Sequence, residues 1–151
     1  RLYAACRRNR LEFLLEIIPS KAGPVNDGTT ADLIQRFHDL GICPDWWKLE
    51  PMLTAKAWEL TCDAIARNDP NTRGIVILGL GESEEKLAAS FRVAANYPLV
   101  KGFAVGRTIF AKSAEAWMKG QISDADAVKA MAESYGRLCT IWDDARAKGR
   151  P

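Results

Sequence analysis

Chemistry gathers first around Lys48. The run Asp45-Trp46-Trp47-Lys48-Leu49-Glu50-Pro51 reads as a short strand, rich in aromatics and closed by a proline that cannot carry a sheet ladder onward. Alternation along the strand puts Trp46, Lys48 and Glu50 on one face and Trp47 and Leu49 on the other. A lysine in the middle of a buried strand demands an explanation, because an unpaired ammonium costs several kcal/mol to bury. One explanation is a partner carboxylate in an inert ion pair. The other is a desolvated, partly deprotonated amine, the nucleophile that attacks a carbonyl carbon to form a Schiff base. A candidate proton carrier precedes it: Glu16, two residues before the end of Leu11-Glu12-Phe13-Leu14-Leu15-Glu16-Ile17-Ile18. Two further loops suit an anion. Gly79-Leu80-Gly81 and Gly106-Arg107 each follow an apolar run, and glycines let backbone N–H groups approach a phosphate while a following helix adds its positive end. Arg107 would supply a forked, permanently charged partner.

Four buried strands must position these residues. The apolar runs Leu11 to Ile18, Trp46 to Leu49, Gly74 to Leu78 and Leu99 to Val105 suit strands of a parallel sheet. Helical patterns alternate with them. Residues Arg1 to Asn9 look like the tail of a helix with Leu2, Ala5 and Cys6 on one side. Thr29 or Thr30 is placed to cap a helix carrying Leu33, Ile34, Phe37 and Leu40, stopped by Gly41. His38 falls off that apolar stripe and reads as a surface residue. Thr54 is placed to cap a helix with Trp58, Cys62 and Ile65. Ser83, followed by Glu84 and Glu85, opens one bearing Leu87, Phe91 and Ala94. A short helix is expected around Ala114 to Lys119. Ser123 with Asp126 caps a last one whose core stripe would be Val128, Met131, Tyr135, Leu138 and Trp142. Strand and helix repeat at about 25 to 32 residues, the βα period of a parallel sheet with crossover helices. No linker interrupts it, so residues 1–151 read as one unit.

Composition narrows the function classes. The 151 residues hold 21 basic and 19 acidic side chains, a net +2, which gives no basic field for nucleic acid or an anionic membrane. No apolar run approaches membrane-spanning length. Cys6, Cys43, Cys62 and Cys139 form no Cys-x-x-Cys pair, and with one histidine in the chain a zinc cluster is not expected. Reduced thiols in the cytosol are. The chain opens at Arg1 without a methionine, in what reads as the end of a helix, and the expectation is a fragment.

Every unusual residue lies at or just beyond the C-terminal end of a strand, the face of a (β/α)₈ barrel that carries active sites and, after its last two strands, phosphate loops. Here the sequence resembles a family. Leu14-Leu15-Glu16-Ile17, Trp47-Lys48-Leu49-Glu50-Pro51 and Gly102-Phe103-Ala104-Val105-Gly106-Arg107-Thr108-Ile109-Phe110 resemble the second half of a class I, Schiff-base aldolase barrel of the tagatose-bisphosphate aldolase type. The Arg73 to Leu80 strand and Trp142-Asp143 look closer still to the aldolase-like C-terminal domain fused to bacterial 5-dehydro-2-deoxygluconokinase of myo-inositol catabolism.

The resemblance covers essentially the whole chain. It implies strands 5 to 8 of a barrel whose N-terminal half, like any fused kinase domain, is absent. It implies Lys48 as Schiff-base lysine and Glu16 as proton carrier. Gly79, Gly106 and Arg107 match positions that hold phosphate; Gly81 completes that loop, and Glu50 fits the Lys-x-Glu pattern. The implied substrate is a phosphorylated keto-sugar acid of the 2-deoxy-5-keto-gluconate 6-phosphate type, with no cofactor and no metal. A cytoplasmic protein with the missing half-barrel as partner, and a homo-oligomer, complete that expectation. A second reading is a catalytically silent barrel that binds a sugar phosphate and regulates or scaffolds the kinase. A third uses Lys48 as an electrostatic clamp in another phosphosugar enzyme.

Overall fold

The computed structural model describes residues 1–148. Four strands, β1 (Leu14–Ile17), β2 (Trp46–Leu49), β3 (Gly74–Leu78) and β4 (Val100–Ala104), form one sheet in the order β1-β2-β3-β4, and every neighbouring pair is parallel. The helices are α1 (Leu2–Arg8), α2 (Thr29–Asp39), α3 (Ala55–Asn68), α4 (Glu84–Ala94), α5 (Arg107–Met118) and α6 (Asp124–Lys148). Parallel neighbours need a crossover, and a helix follows each strand. The result is an α/β half-barrel of four βα units, as the periodicity predicts.

Alternation along the strands separates core from mouth. Trp47, Leu49, Ile75 and Ile77 are fully buried on one face, under Ile34, Trp58, Ile65, Leu87 and Phe91. Phe91 stacks on Phe103 at 5.1 Å between ring centroids and meets the edge of Trp142 at 5.5 Å, geometries that aromatic quadrupoles favour. The opposite face carries Leu14 and Glu16 on β1, Trp46 and Lys48 on β2, and Val76 on β3. There Leu14 is 45% exposed.

Three expected caps hold. The Thr54 hydroxyl accepts from the Ala57 amide, and that of Ser83 from Lys86. At the start of α6 the Ser123 hydroxyl accepts from the Asp126 amide and donates to the Asp126 carboxylate. Other local expectations fail. Gly28, not a threonine, caps α2, because the Thr29 hydroxyl instead accepts from the Asn26 amide and shapes the preceding loop. α5 starts at Arg107 rather than near Ala114, since the Gly106 carbonyl already accepts from Ile109 and Phe110. β1 begins at Leu14, not Leu11. On α6 the packed face is Ala127, Ser134, Leu138, Trp142 and Ala145, whereas Val128 and Tyr135 are more than half exposed. His38 is not a surface residue either. Its ring packs edge-on against Trp47 at 5.6 Å, its Nδ1 lies 3.5 Å from the Cys43 sulfur, and its Nε2 is buried. Burial lowers its pKa and raises that of Cys43.

All four cysteines are free thiols, and burial pushes Cys62 up to about 12. Among the described residues no helix is long and apolar enough to cross a membrane.

Asp45 fastens the start of β2 to its surroundings. Its carboxylate accepts from the Phe13 amide at 2.7 Å and from the Arg7 guanidinium at 3.0 Å. Partial burial alone would raise its pKa, but those two donors outweigh it and hold the group below its ordinary 3.8. A carboxylate depressed on folding stabilises the fold fully above its unfolded value and loses that contribution as pH falls through the folded one. Asp45→Asn should therefore lower stability near neutral pH and blunt the loss of stability below about pH 4. Urea midpoints measured across acid and neutral pH check it; parallel wild-type and variant curves would contradict it.

Candidate functional site

The site is built at the C-terminal ends of the strands. Parallel register pairs Glu16 with Lys48 across β1 and β2, so both side chains leave the same face side by side. Lys48 Nζ lies 3.2 Å from Glu16 Oε1, with the side chains 26% and 41% exposed. The sheet thus gives Lys48 its partner carboxylate. The dry, isolated amine that the strand alone suggested is not found, because this face of the half-barrel is open to water.

Beside this pair lies a cleft of about 330 Å³ lined by Glu16, Lys21, Lys48, Gly79 to Gly81 and Gly106 to Arg107, with Ile18, Leu78, Ala104 and Phe110. Sequence-predicted residues from all four strand ends meet here. One does not. Glu50 points into a separate cavity of about 300 Å³ with Asp27, Thr54 and Lys86. It is buried, and accepts from both the backbone amide and the hydroxyl of Ser20.

The glycine loop is shaped by close approach and strain. A side chain on Gly79 would place its Cβ 2.6 Å from Val105 Cγ1, so only glycine lets the ends of β3 and β4 lie this close. Leu80 (φ 50°) and Gly81 (φ 78°) are both left-handed. A leucine there costs on the order of 1 kcal/mol, strain of the kind that collects at ligand loops. The Glu82 amide donates to the Gly79 carbonyl at 2.8 Å, and Thr108 Oγ1 donates to the Glu82 carbonyl at 2.9 Å. The loop is thereby tied to the start of α5. No side chain caps α5, whose N-cap Gly106 and first residue Arg107 line the cleft. The Arg107 guanidinium carbon would lie 4.0 Å from a Cβ on Gly81. An uncapped helix start, a glycine loop and an arginine make a surface suited to a phosphate.

Sequence reasoning missed Lys21. It sits in the loop after β1, five residues past Glu16, and the cue was a cation on the same end of the strand as the other site residues. Leu80 and Phe110 were also passed over as apolar. Among the described residues no group of His, Cys, Asp and Glu side chains gathers as a metal site would.

Comparison with known proteins gives a family and a fold. The family described as "Uncharacterized protein conserved in bacteria (DUF2090)" matches residues 1–146. No curated protein matches the chain significantly. Among solved structures, fructose-bisphosphate aldolase from Plasmodium falciparum, in a ternary complex with TRAP and a small-molecule inhibitor, superposes with a TM-score of 0.65 at 19% identity. The match covers 99% of this chain and 49% of that one, so the chain spans about half the length of the aldolase. The four-stranded parallel sheet with its helices thus has the fold of about half of an aldolase-type barrel.

Gly79 offers a direct check on the close contact beneath the loop. Gly79→Ala should cost about 1–3 kcal/mol of unfolding free energy, because Val105 must move. Gly102→Ala on β4, where a Cβ meets nothing within 4 Å, should stay within about 0.5 kcal/mol. Equal urea-unfolding free energies for the two variants would contradict the packing described.

Proposed function

The chain belongs to the family described as an uncharacterized protein conserved in bacteria, DUF2090, and from that premise we propose that it forms the catalytic half of a Schiff-base aldolase acting on a phosphorylated keto-sugar acid. The observation that carries this reading is the Glu16–Lys48 pair, 3.2 Å apart, opening onto a cleft whose other wall is a glycine loop and an uncapped helix start. A nucleophile, a proton carrier and an anion seat share one space.

The steps follow from those positions. Lys48 gives a proton to Glu16 and attacks the substrate ketone, forming a carbinolamine. Glu16 returns a proton to the departing hydroxyl, and water leaves as the iminium forms. Glu16 then takes the proton from the hydroxyl on the carbon β to the iminium. That O–H electron pair forms an aldehyde carbonyl as the α–β C–C bond breaks. The bond's electrons pass into the iminium to give an enamine, and the aldehyde leaves as the first product. The electron sink is the iminium itself, the work a Lewis acid does in metal-dependent aldolases. Reprotonation and hydrolysis release the second product and free Lys48. Gly79, Gly81, Gly106 and Arg107 hold the phosphate through this sequence. The keto-sugar acid, and a place beside a kinase in inositol breakdown, come from the likeness of the strand motifs to the barrel fused to 5-dehydro-2-deoxygluconokinase.

Treating the protein with a keto-sugar phosphate and borohydride should add the reduced ligand's mass to the peptide containing Lys48. Lys48→Arg keeps the charge but forms no imine, so it should lose the adduct and lower cleavage by roughly 10³-fold or more. Labelling at another lysine, or an active Lys48→Arg protein, overturns the assignment. Thermal stabilisation by the ligand without any adduct would favour a silent sugar-phosphate-binding barrel instead.

The same reading requires a complete barrel. Closure takes about eight strands with matched tilt and stagger, and the described residues supply four. β1 and β4 each leave one edge unpaired, which invites another strand, and Leu14 stands 45% exposed on the inner face. The proposed occupant is a preceding set of four βα units in the same protein, consistent with an aldolase chain twice as long. By sedimentation, the 151 residues alone should self-associate, whereas the chain joined to such a half should run as one discrete species. A monodisperse, cooperatively melting monomer of the 151 residues with aldolase activity would defeat this reading.

A further inference from the structure

The cations that line the cleft stand at both of its edges, and the phosphate seat uses those of one edge. The lining includes three cationic side chains, Lys21, Lys48 and Arg107, against one carboxylate, Glu16. Lys48 is matched by Glu16. Neither Lys21 nor Arg107 forms an ion pair among the described residues. Arg107 has a role in the phosphate seat, which leaves Lys21.

Lys21 is held in place by its backbone. It closes the 3₁₀ turn Pro19–Lys21, whose proline is buried, and its amide donates to the Ile18 carbonyl. The residue before it is clamped: the buried Glu50 carboxylate accepts from the Ser20 amide at 3.2 Å and from the Ser20 hydroxyl. That clamp fixes where the Lys21 side chain leaves the turn, at the β1 edge of the cleft. Arg107 stands at the β4 edge, three strand spacings or about 14 Å away along the sheet, with Lys48 between them.

The two edges differ in kind. At the β4 edge a glycine loop, an uncapped helix start and a forked guanidinium suit the several oxygens of a phosphate. The β1 edge offers one ammonium, a compact point charge with no glycine loop beside it, which suits a monoanion. We propose that Lys21 is a specificity-determining residue that binds a carboxylate at the far end of a sugar phosphate seated on the Gly79–Gly81 loop and Arg107. Glu50 is then a positioning residue, acting through Ser20. The proposal rests on the phosphate seat described above but not on imine formation at Lys48.

Two ligands without a ketone isolate the effect. 6-Phosphogluconate and sorbitol 6-phosphate differ in carrying a carboxylate or an alcohol at the end remote from the phosphate, and calorimetric titration of the full-length protein gives both Kd values. Wild type should bind 6-phosphogluconate about fivefold more tightly, the size expected of a solvent-exposed ion pair. In Lys21→Gln that preference should vanish, with sorbitol 6-phosphate binding unchanged, and Lys21→Arg should restore it. Arg107→Ala should weaken both ligands together. Equal wild-type affinities, or a Lys21→Gln variant that weakens both ligands alike, would overturn the proposal. So would a sorbitol bisphosphate that binds more tightly than 6-phosphogluconate in a Lys21-dependent way, since the second seat would then be for phosphate. Failure of the aldolase reading registers separately, as absence of a borohydride adduct at Lys48, and leaves these affinities untouched.

Discussion

The register of β1 against β2 is the constraint on which the mouth of this half-barrel depends. Side chains alternate with period two, so a slip of one residue would turn Glu16 into the helical layer and leave Lys48 facing Leu15 or Ile17. Apolar burial resists that slip, because Leu15 and Ile17 would leave the core for the open face. Two carboxylates that bracket β2 resist it as well. At the start of the strand Asp45 accepts from the Phe13 amide, while the Trp46 amide donates to the Phe13 carbonyl. Beyond its end Glu50 accepts twice from Ser20. β1 is thus pinned to β2 just before and just after the Glu16–Lys48 pair. Glu50, expected at the substrate, sits in this bracket.

At the other edge, closeness rather than charge decides the geometry. β3 and β4 approach until only a glycine fits at position 79, and the chain then passes through two left-handed residues before α4 begins. Leu80 is poorly suited to that conformation, and its neighbours hold it there: the Glu82 turn back onto Gly79 and the Thr108 hydroxyl on the Glu82 carbonyl. The consequence is a loop held by its own hydrogen bonds and tied to the start of α5. Preorganisation of this kind favours ligand binding, since less ordering remains to be done on association.

The barrel likeness and the site argue at different levels. A superposition at 19% identity establishes how the chain is folded, and a barrel of this type hosts many chemistries. The case for carbon–carbon bond cleavage rests instead on a lysine and a glutamate brought to 3.2 Å at the strand ends, beside loops able to hold a phosphate. The openness of this face bears on both. With four strands the pair stands in water, where an ammonium and a carboxylate attract only weakly. A closed barrel would dry the same pair and strengthen every electrostatic contact within it.

The sequence by itself determined the order of elements, the alternation that separates Trp47 and Leu49 from Lys48, and the caps at Thr54 and Ser83, because these depend on neighbours within a few residues. It also placed Glu16, Lys48, Gly79, Gly81 and Arg107 at strand ends, since strand ends follow from local pattern. Tertiary structure alone decided which of these meet. His38 was packed against Trp47, and α6 presented Ala127 and Ser134 rather than Val128 and Tyr135. Glu50 was drawn to Ser20, thirty residues away in the chain, and Lys21 was brought to the edge of the cleft. Each outcome depends on contacts between segments far apart in sequence, whose strength is set by packing and register that no local window of residues contains.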